Sequence, residues 1–204
     1  MKKIISLIFL FWILISSLVS AYNSKELIAA NDLATRWIIK NHIKNPSAYN
    51  LDSPVLRQEI ALISRRVSGI SEKETCDNEF ADVTVNTPNT WVCKNVEALV
   101  DNNLISANPL FNPERNISKA EALIMFIKSI WFPDFSIDLN SNLSWQEQVV
   151  KFAVSNNVVN NFTDYNVEAK RWWIFKIADF SIKIKEERVK KWTWKKKKIS
   201  DEAL

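Results

Sequence analysis

WVCKNVEALVDNNLI, residues 91–105, and WQEQVVKFAVSNNVV, residues 145–159, align without a gap. In each, a tryptophan opens a stretch whose apolar residues recur at helical spacing: Val96, Leu99 and Val100 in the first, Val149, Phe152 and Ala153 in the second. An Asn pair closes each stretch and an apolar pair follows. KELIAANDLATRWII, residues 25–39, fits the same template with a polar residue in place of the opening Trp. Self-similarity of this kind marks a repeat architecture.

Each of these helices is followed by a loop and a second helix that opens on a similar phrase. The phrases are Val55-Leu-Arg-Gln-Glu59, Ile117-Ser-Lys-Ala-Glu121 and Ala169-Lys-Arg-Trp-Trp173. Their central cations, Arg57, Lys119 and Arg171, lie 62 and 52 residues apart, and Tyr49 and Phe111 stand eight residues before the first two. The pattern predicts helices near 25–36, 54–68, 91–102, 117–130, 145–156 and 167–186. A lone helix pair buries too little apolar surface to be stable, so the three units are expected to pack around one shared core.

The run Phe80-Ala-Asp-Val83, then Trp91, Phe111-Asn-Pro113 and Ile117-Ser-Lys-Ala-Glu121 resembles an S-layer homology module, whose pattern is F-x-D-V, a helix, F-x-P and I-T-R-A-E. The second unit matches best and the first keeps Leu-Arg-Gln-Glu. The third keeps Trp145 and Arg171 but has Trp173 where the acid belongs. The resemblance implies a mainly α fold of three such modules in a pseudo-threefold bundle. It also implies noncovalent attachment to acidic cell-wall polysaccharide, often carrying pyruvate ketals, with the motif's arginine facing the ligand's carboxylate. Carried onto this chain, that role falls to Arg57, Lys119 and Arg171. Glu59 and Glu121 would position the site or cap the first helical turn, where negative charge is favoured. Trp173 could stack on a sugar ring. Arginine's planar fork suits a carboxylate better than lysine's point charge, so two strong anion grooves and one weaker are expected. The bland alternative is that all three cations are ordinary surface residues of a first turn.

The N-terminus has two lysines, an unbroken apolar or small run from Ile4 to Val19, and Val19-Ser20-Ala21. That is the layout of a signal peptide cleaved after Ala21; an uncleaved anchor helix is the alternative, and membrane contact is expected only through this segment if it stays. The expected organisation is a signal peptide at 1–21, modules at 22–72, 73–132 and 133–186, and a basic tail at 187–204. Export makes a disulfide between Cys76 and Cys93, the only cysteines, the expectation over two free thiols. Lys185 to Lys198 carry eight Lys/Arg and two Glu, whereas Tyr22 to Ile184 carry 17 Lys/Arg and 19 Asp/Glu. The net charge of +4 is therefore a property of the tail. In an exported protein such a tail points to anionic wall polymer or lipid phosphate rather than nucleic acid, or to simple solubilisation.

The chain has nine Trp and one Gly, where ordinary usage of about 7% would give roughly fourteen glycines. Twelve residues after each first-helix opening stand Trp37, Asn103 and Asn157; twelve after Arg57 and Lys119 stand Gly69 and Trp131. These are helix C′ positions, where a left-handed backbone suits Gly, is tolerated by Asn and is disfavoured for Trp. A host that reads UGA as glycine would explain Trp37, Trp131, Trp172, Trp192 and Trp194, and also Trp12, as glycines written as Trp. Trp91, Trp145 and Trp173 fill sensible aromatic positions. AT-rich coding would explain the scarce Gly alone.

Catalytic chemistry is poorly provided for. His42 is the only histidine, so a His-based triad or His-rich metal site has no material, and no phosphate-cradling loop exists. A two-carboxylate glycosidase remains formally open. The chain reads as a non-enzyme needing no cofactor. Its class is a wall-binding module or a structural surface protein that assembles with itself or with other envelope proteins.

Overall fold

In the computed structural model of the chain, residues 24–131 and 135–202 are described; the expected leader and Trp12 lie outside them. Among the described residues, six α-helices follow one another: α1 Ser24–Thr35, α2 Arg57–Ser68, α3 Val92–Asp101, α4 Lys119–Phe126, α5 Trp145–Ser155 and α6 Arg171–Glu202. The fold is mainly α. A short 3-10 turn, Pro46–Tyr49, interrupts the loop between α1 and α2.

The helix ends follow from local chemistry. Ser118 Oγ accepts from Glu121 N (3.3 Å) while Glu121 Oε2 accepts from Ser118 N (3.0 Å). The Ser144–Glu147 pair does the same for α5. Reciprocal bonds of this kind satisfy donors that a helix start leaves without partners. At the other end, Trp37, Gly69, Asn103 and Asn157 have φ of 61°, 80°, 57° and 57°. Beyond each, one N–H bonds back five residues: Ile38 to Leu33, Ile70 to Arg65, Leu104 to Leu99 and Val158 to Ala153, at 2.9–3.2 Å. Four helices thus share one left-handed stop.

Two expectations need correction. The fourth helix does not end on a left-handed residue at Trp131; α4 widens into a π-helical turn, Ile127–Trp131. Nor is the basic segment a loose end. α6, 32 residues long, continues through it to Glu202, because Lys, Arg, Glu and Ile extend a helix and neither Gly nor Pro stops it. Trp172, Trp192 and Trp194 therefore sit in helical backbone. The start of α6 comes later than 167 because residues 168–170 are used otherwise.

Those residues belong to a closed ring of hydrogen bonds. Val55 N donates to Ala169 O (3.0 Å), Ala169 N to Ile117 O (2.9 Å), and Ile117 N to Val55 O (2.9 Å). One step along, the first N–H groups of each second helix donate into a loop of a different unit. Arg57 and Gln58 reach Arg115 O and Pro113 O, Lys119 and Ala120 reach Val167 O and Tyr165 O, and Arg171 and Trp172 reach Ser53 O and Leu51 O, all at 2.9–3.1 Å. Donors that a lone helix would leave to water are satisfied by a neighbour. Val55, Ile117 and Ala169 are buried at the ring's centre, and one continuous core joins Leu33, Ile60, Leu99, Leu123, Val149 and Ile174 around it.

Candidate functional site

Arg57, Lys119 and Arg171 are each the first residue of their helix. A cation there opposes the positive end of the helix dipole, so each needs a compensating partner. The ring supplies it. Arg171 Nη2 meets Glu59 Oε1 at 2.5 Å, and Arg57 Nη1 meets Glu121 Oε1 at 3.3 Å. Each acid also accepts the backbone N–H at the start of its own helix: Glu59 from Leu56 and Glu121 from Ser118. Sequence placed each acid beside the cation two residues before it; the structure pairs it with the cation of another unit.

The third position differs. Trp173 stands where the acid would be, and Lys119 pairs instead with Asp164 and lies 5.5 Å from the Phe162 ring centre. Trp173 meets the same Phe162 ring edge-on at 6.0 Å. Arg57 is likewise stacked over an aromatic, Phe111, at 4.9 Å.

Burial pushes the Arg57 guanidinium below its ordinary value, against the attraction of Glu121. For Glu121, burial pushes upward, yet hydrogen bonds from Arg115 and Ser118 outweigh it and hold the carboxyl below the usual range. Arg115 grips Glu121 with two bonds, of 3.1 and 2.6 Å.

Two grooves contain two of the three motif cations, Arg171 and Lys119. The first, about 880 Å³, holds Arg171 and Glu59 with Arg36, Lys40, Arg65 and Arg66, and is walled by Trp37, Trp91 and Phe175. The second, about 940 Å³, holds Lys119 with Lys25, Lys176 and Lys183, and is walled by Phe162, Trp172, Trp173 and Phe180. Each carries one carboxylate, Glu59 in the first and Asp179 in the second. Burial and a hydrogen bond with Asp32 push the Asp179 carboxyl above its ordinary value. Cations next to aromatic faces are suited to an anion carried on a ring. Arg57 and Glu121 line neither groove. Among the flanking cations, Arg36, Arg65 and Arg66 carried no signal in the repeat pattern; only the C′ alignment at Trp37 marked the right neighbourhood.

Other polar residues are structural. Asp82, from the Phe80-Ala-Asp-Val83 stretch, accepts from Phe111 N (2.8 Å) and Asn112 N (2.7 Å), fixing the loop that carries the stacking ring. Glu97, fully buried, accepts from Asp77 N and Glu79 N at 2.8 and 3.0 Å. Asp77, Glu79 and Glu97 come close enough to share a cation, and the Lys73 ammonium lies 2.7, 3.3 and 3.6 Å from them. Cys76 and Cys93 lie at disulfide distance, with Cα atoms 5.8 Å apart.

Residues 84–123 match the family model of the S-layer homology domain. The matched stretch contains Trp91, Phe111, Lys119 and Glu121 and spans α3 with the start of α4. Comparison with curated proteins finds no match. An S-layer homology domain is a non-catalytic anchoring domain, so this part of the chain supports a cell-wall or cell-surface association.

Proposed function

We propose that the chain is a non-catalytic surface protein that holds acidic cell-wall polysaccharide through grooves at its motif cations. The observation that carries this is the pair of grooves in which Arg171 and Lys119 sit among further cations and exposed or half-buried aromatics. Carboxylates on a sugar chain would meet the cations, and pyranose faces would lie on Trp91, Trp172 and Trp173. Three modules rather than one are supported by the ring Val55–Ala169–Ile117 and by the shared helix stop, which recur outside the matched stretch.

Retention on purified wall sacculi tests the proposal. Arg171→Ala is expected to weaken retention clearly and Lys119→Ala less, because lysine cannot make the bidentate fork. Retention is also expected to fall with salt, since exposed charges are screened over about 8 Å at physiological ionic strength. If sacculi stripped of acidic polymer retain the protein equally well, the alternative of a protein-assembling surface component takes its place.

We further infer that Trp37 is a glycine in the native protein, through a host that reads UGA as glycine. Its φ is 61° and its side chain is 81% exposed, so the residue bears the strain of a left-handed backbone with little burial in return. Trp172, Trp192 and Trp194, inside α6, require no glycine. A UGG codon at position 37 would end this inference.

A further inference from the structure

Helix α6 leaves the bundle as a rigid extension. Its buried side ends near Ile182, and every described residue from Glu186 to Lys195 is exposed. At 1.5 Å per residue the helix is about 48 Å long, and about half of its 32 residues lie beyond Lys185. Its exit is pinned. Lys185 Nζ donates to Ser68 O at 2.6 Å, closing the end of α2, and Arg36 Nη1 meets Glu186 Oε1 at 2.5 Å.

At that exit lies a cleft of about 610 Å³. Its floor is apolar, with Ile38, Val67, Ile182 and Val189, and Arg36, Arg66, Lys185 and Lys190 stand around it. The one carboxylate in it, Glu186, is already matched by Arg36. Outward from the cleft, Arg188 to Lys198 include seven Lys/Arg and no acid. Val189, Trp192 and Trp194 along this stretch are 56%, 59% and 67% exposed.

We propose that the cleft and the projecting part of α6 form a docking surface for an anionic phospholipid bilayer. A sugar polymer would meet the cations and leave the exposed Val189, Trp192 and Trp194 side chains in water. A bilayer answers both: its phosphates meet the lysines, and its interfacial region takes the aromatic and aliphatic groups. Tryptophan is at home at that depth because its ring is apolar with one polar edge.

The test uses residues 22–204, which keep every described residue and omit the N-terminal apolar run that could itself enter a vesicle. Cosedimentation is measured with vesicles of phosphatidylcholine alone and with phosphatidylglycerol added, and binding to soluble polyphosphate is measured beside it. Binding is expected to the anionic vesicles only. Lys190→Glu with Lys191→Glu and Lys195→Glu is expected to lower it on the order of tenfold or more. Val189→Ser with Trp192→Ser and Trp194→Ser is expected to weaken vesicle binding while leaving polyphosphate binding unchanged. The idea is overturned if the charge-reversed chain binds anionic vesicles as before. It is equally overturned if the serine variant binds them as the parent does, which would make the partner a polyanion without an apolar component. The serine variant changes exposed side chains only and keeps the test decisive should the charge-reversed chain fold poorly.

Discussion

Replacing Trp37 by glycine should leave the protein as stable as before or make it more so. The left-handed backbone at φ 61° costs a residue with a Cβ about 1–2 kcal/mol, and glycine escapes that cost. Against it stand two losses. Glycine's extra freedom in the unfolded chain costs roughly 0.5–1 kcal/mol. With the side chain 81% exposed, the burial forfeited is only about 0.5 kcal/mol. The sum lies between about −0.5 and +1 kcal/mol, whereas a large aromatic removed from a core costs about 3–5 kcal/mol. Trp91→Gly, at a half-buried ring packed on the core, is the comparison and should be clearly destabilising. Urea denaturation of both variants reads the difference as a shift of midpoint at constant slope. A loss above about 1 kcal/mol for Trp37→Gly would show that the ring makes a contact worth its strain, and the inference that this position is natively glycine would fall.

Two further outcomes follow from the same geometry. Glu121 has its carboxyl held low in the folded state, so the stability it contributes is present above its unfolded value of about 4.3 and is lost as pH falls through the lower folded value. Glu121→Gln should therefore melt earlier than the parent at neutral pH and converge with it in acid; parallel melting curves at every pH would refute the ion pair's role. The Cys76–Cys93 link closes a separation of 17 residues, and its reduction should cost about 3 kcal/mol on a chain-entropy estimate. Titration of unreduced protein with a thiol reagent checks it, and two reactive thiols would refute the bond.

Much of the fold could be read from the repeats because the features that define them are local. Helix starts at Ser118 and Ser144, apolar spacing in α3 and α5, and left-handed stops at Trp37, Gly69, Asn103 and Asn157 each depend on a few neighbouring residues. The stops were visible only because three aligned copies carried Trp, Asn and Asn at one place. The misses have a different character. The π-turn at Ile127–Trp131 and the late start of α6 are set by what packs against them, which periodicity does not record. The length of α6 is harder to read, because a lysine-rich run has the composition of a solvated tail although its residues are good helix formers. The motif cations were legible as a set. The grooves around them were not, since Arg36, Arg65 and Arg66 come from helix ends that the alignment treated as ordinary.

The pairing of cations with acids across units explains the one irregularity in the repeat. An arginine at a helix start is tolerable only if a carboxylate from the next first turn answers it, and Glu59 and Glu121 do so while also holding their own helix starts. With Trp173 in the third acid's place, a guanidinium there would face an aromatic and an unmatched desolvation cost. Lysine answers that by reaching out to Asp164, a carboxylate nearly half exposed, and resting over Phe162. The Lys119 and Trp173 departures thus adjoin one ring, Phe162, which both side chains meet. They leave the grooves chemically unequal. In the first, Glu59 takes one donor of the Arg171 fork and Arg171 Nε is buried without a hydrogen-bond partner among the described residues, so an anion would have to meet the outer guanidinium nitrogens beside Glu59. In the second, the cation is a point charge shared with an exposed acid, a pairing worth about 0–1 kcal/mol that solvent and salt readily exchange. If the second groove holds a sugar chain as proposed, the aromatic wall of Phe162, Trp172 and Trp173 would share the binding with its four lysines, and replacing those rings should weaken retention even where salt screens the charges.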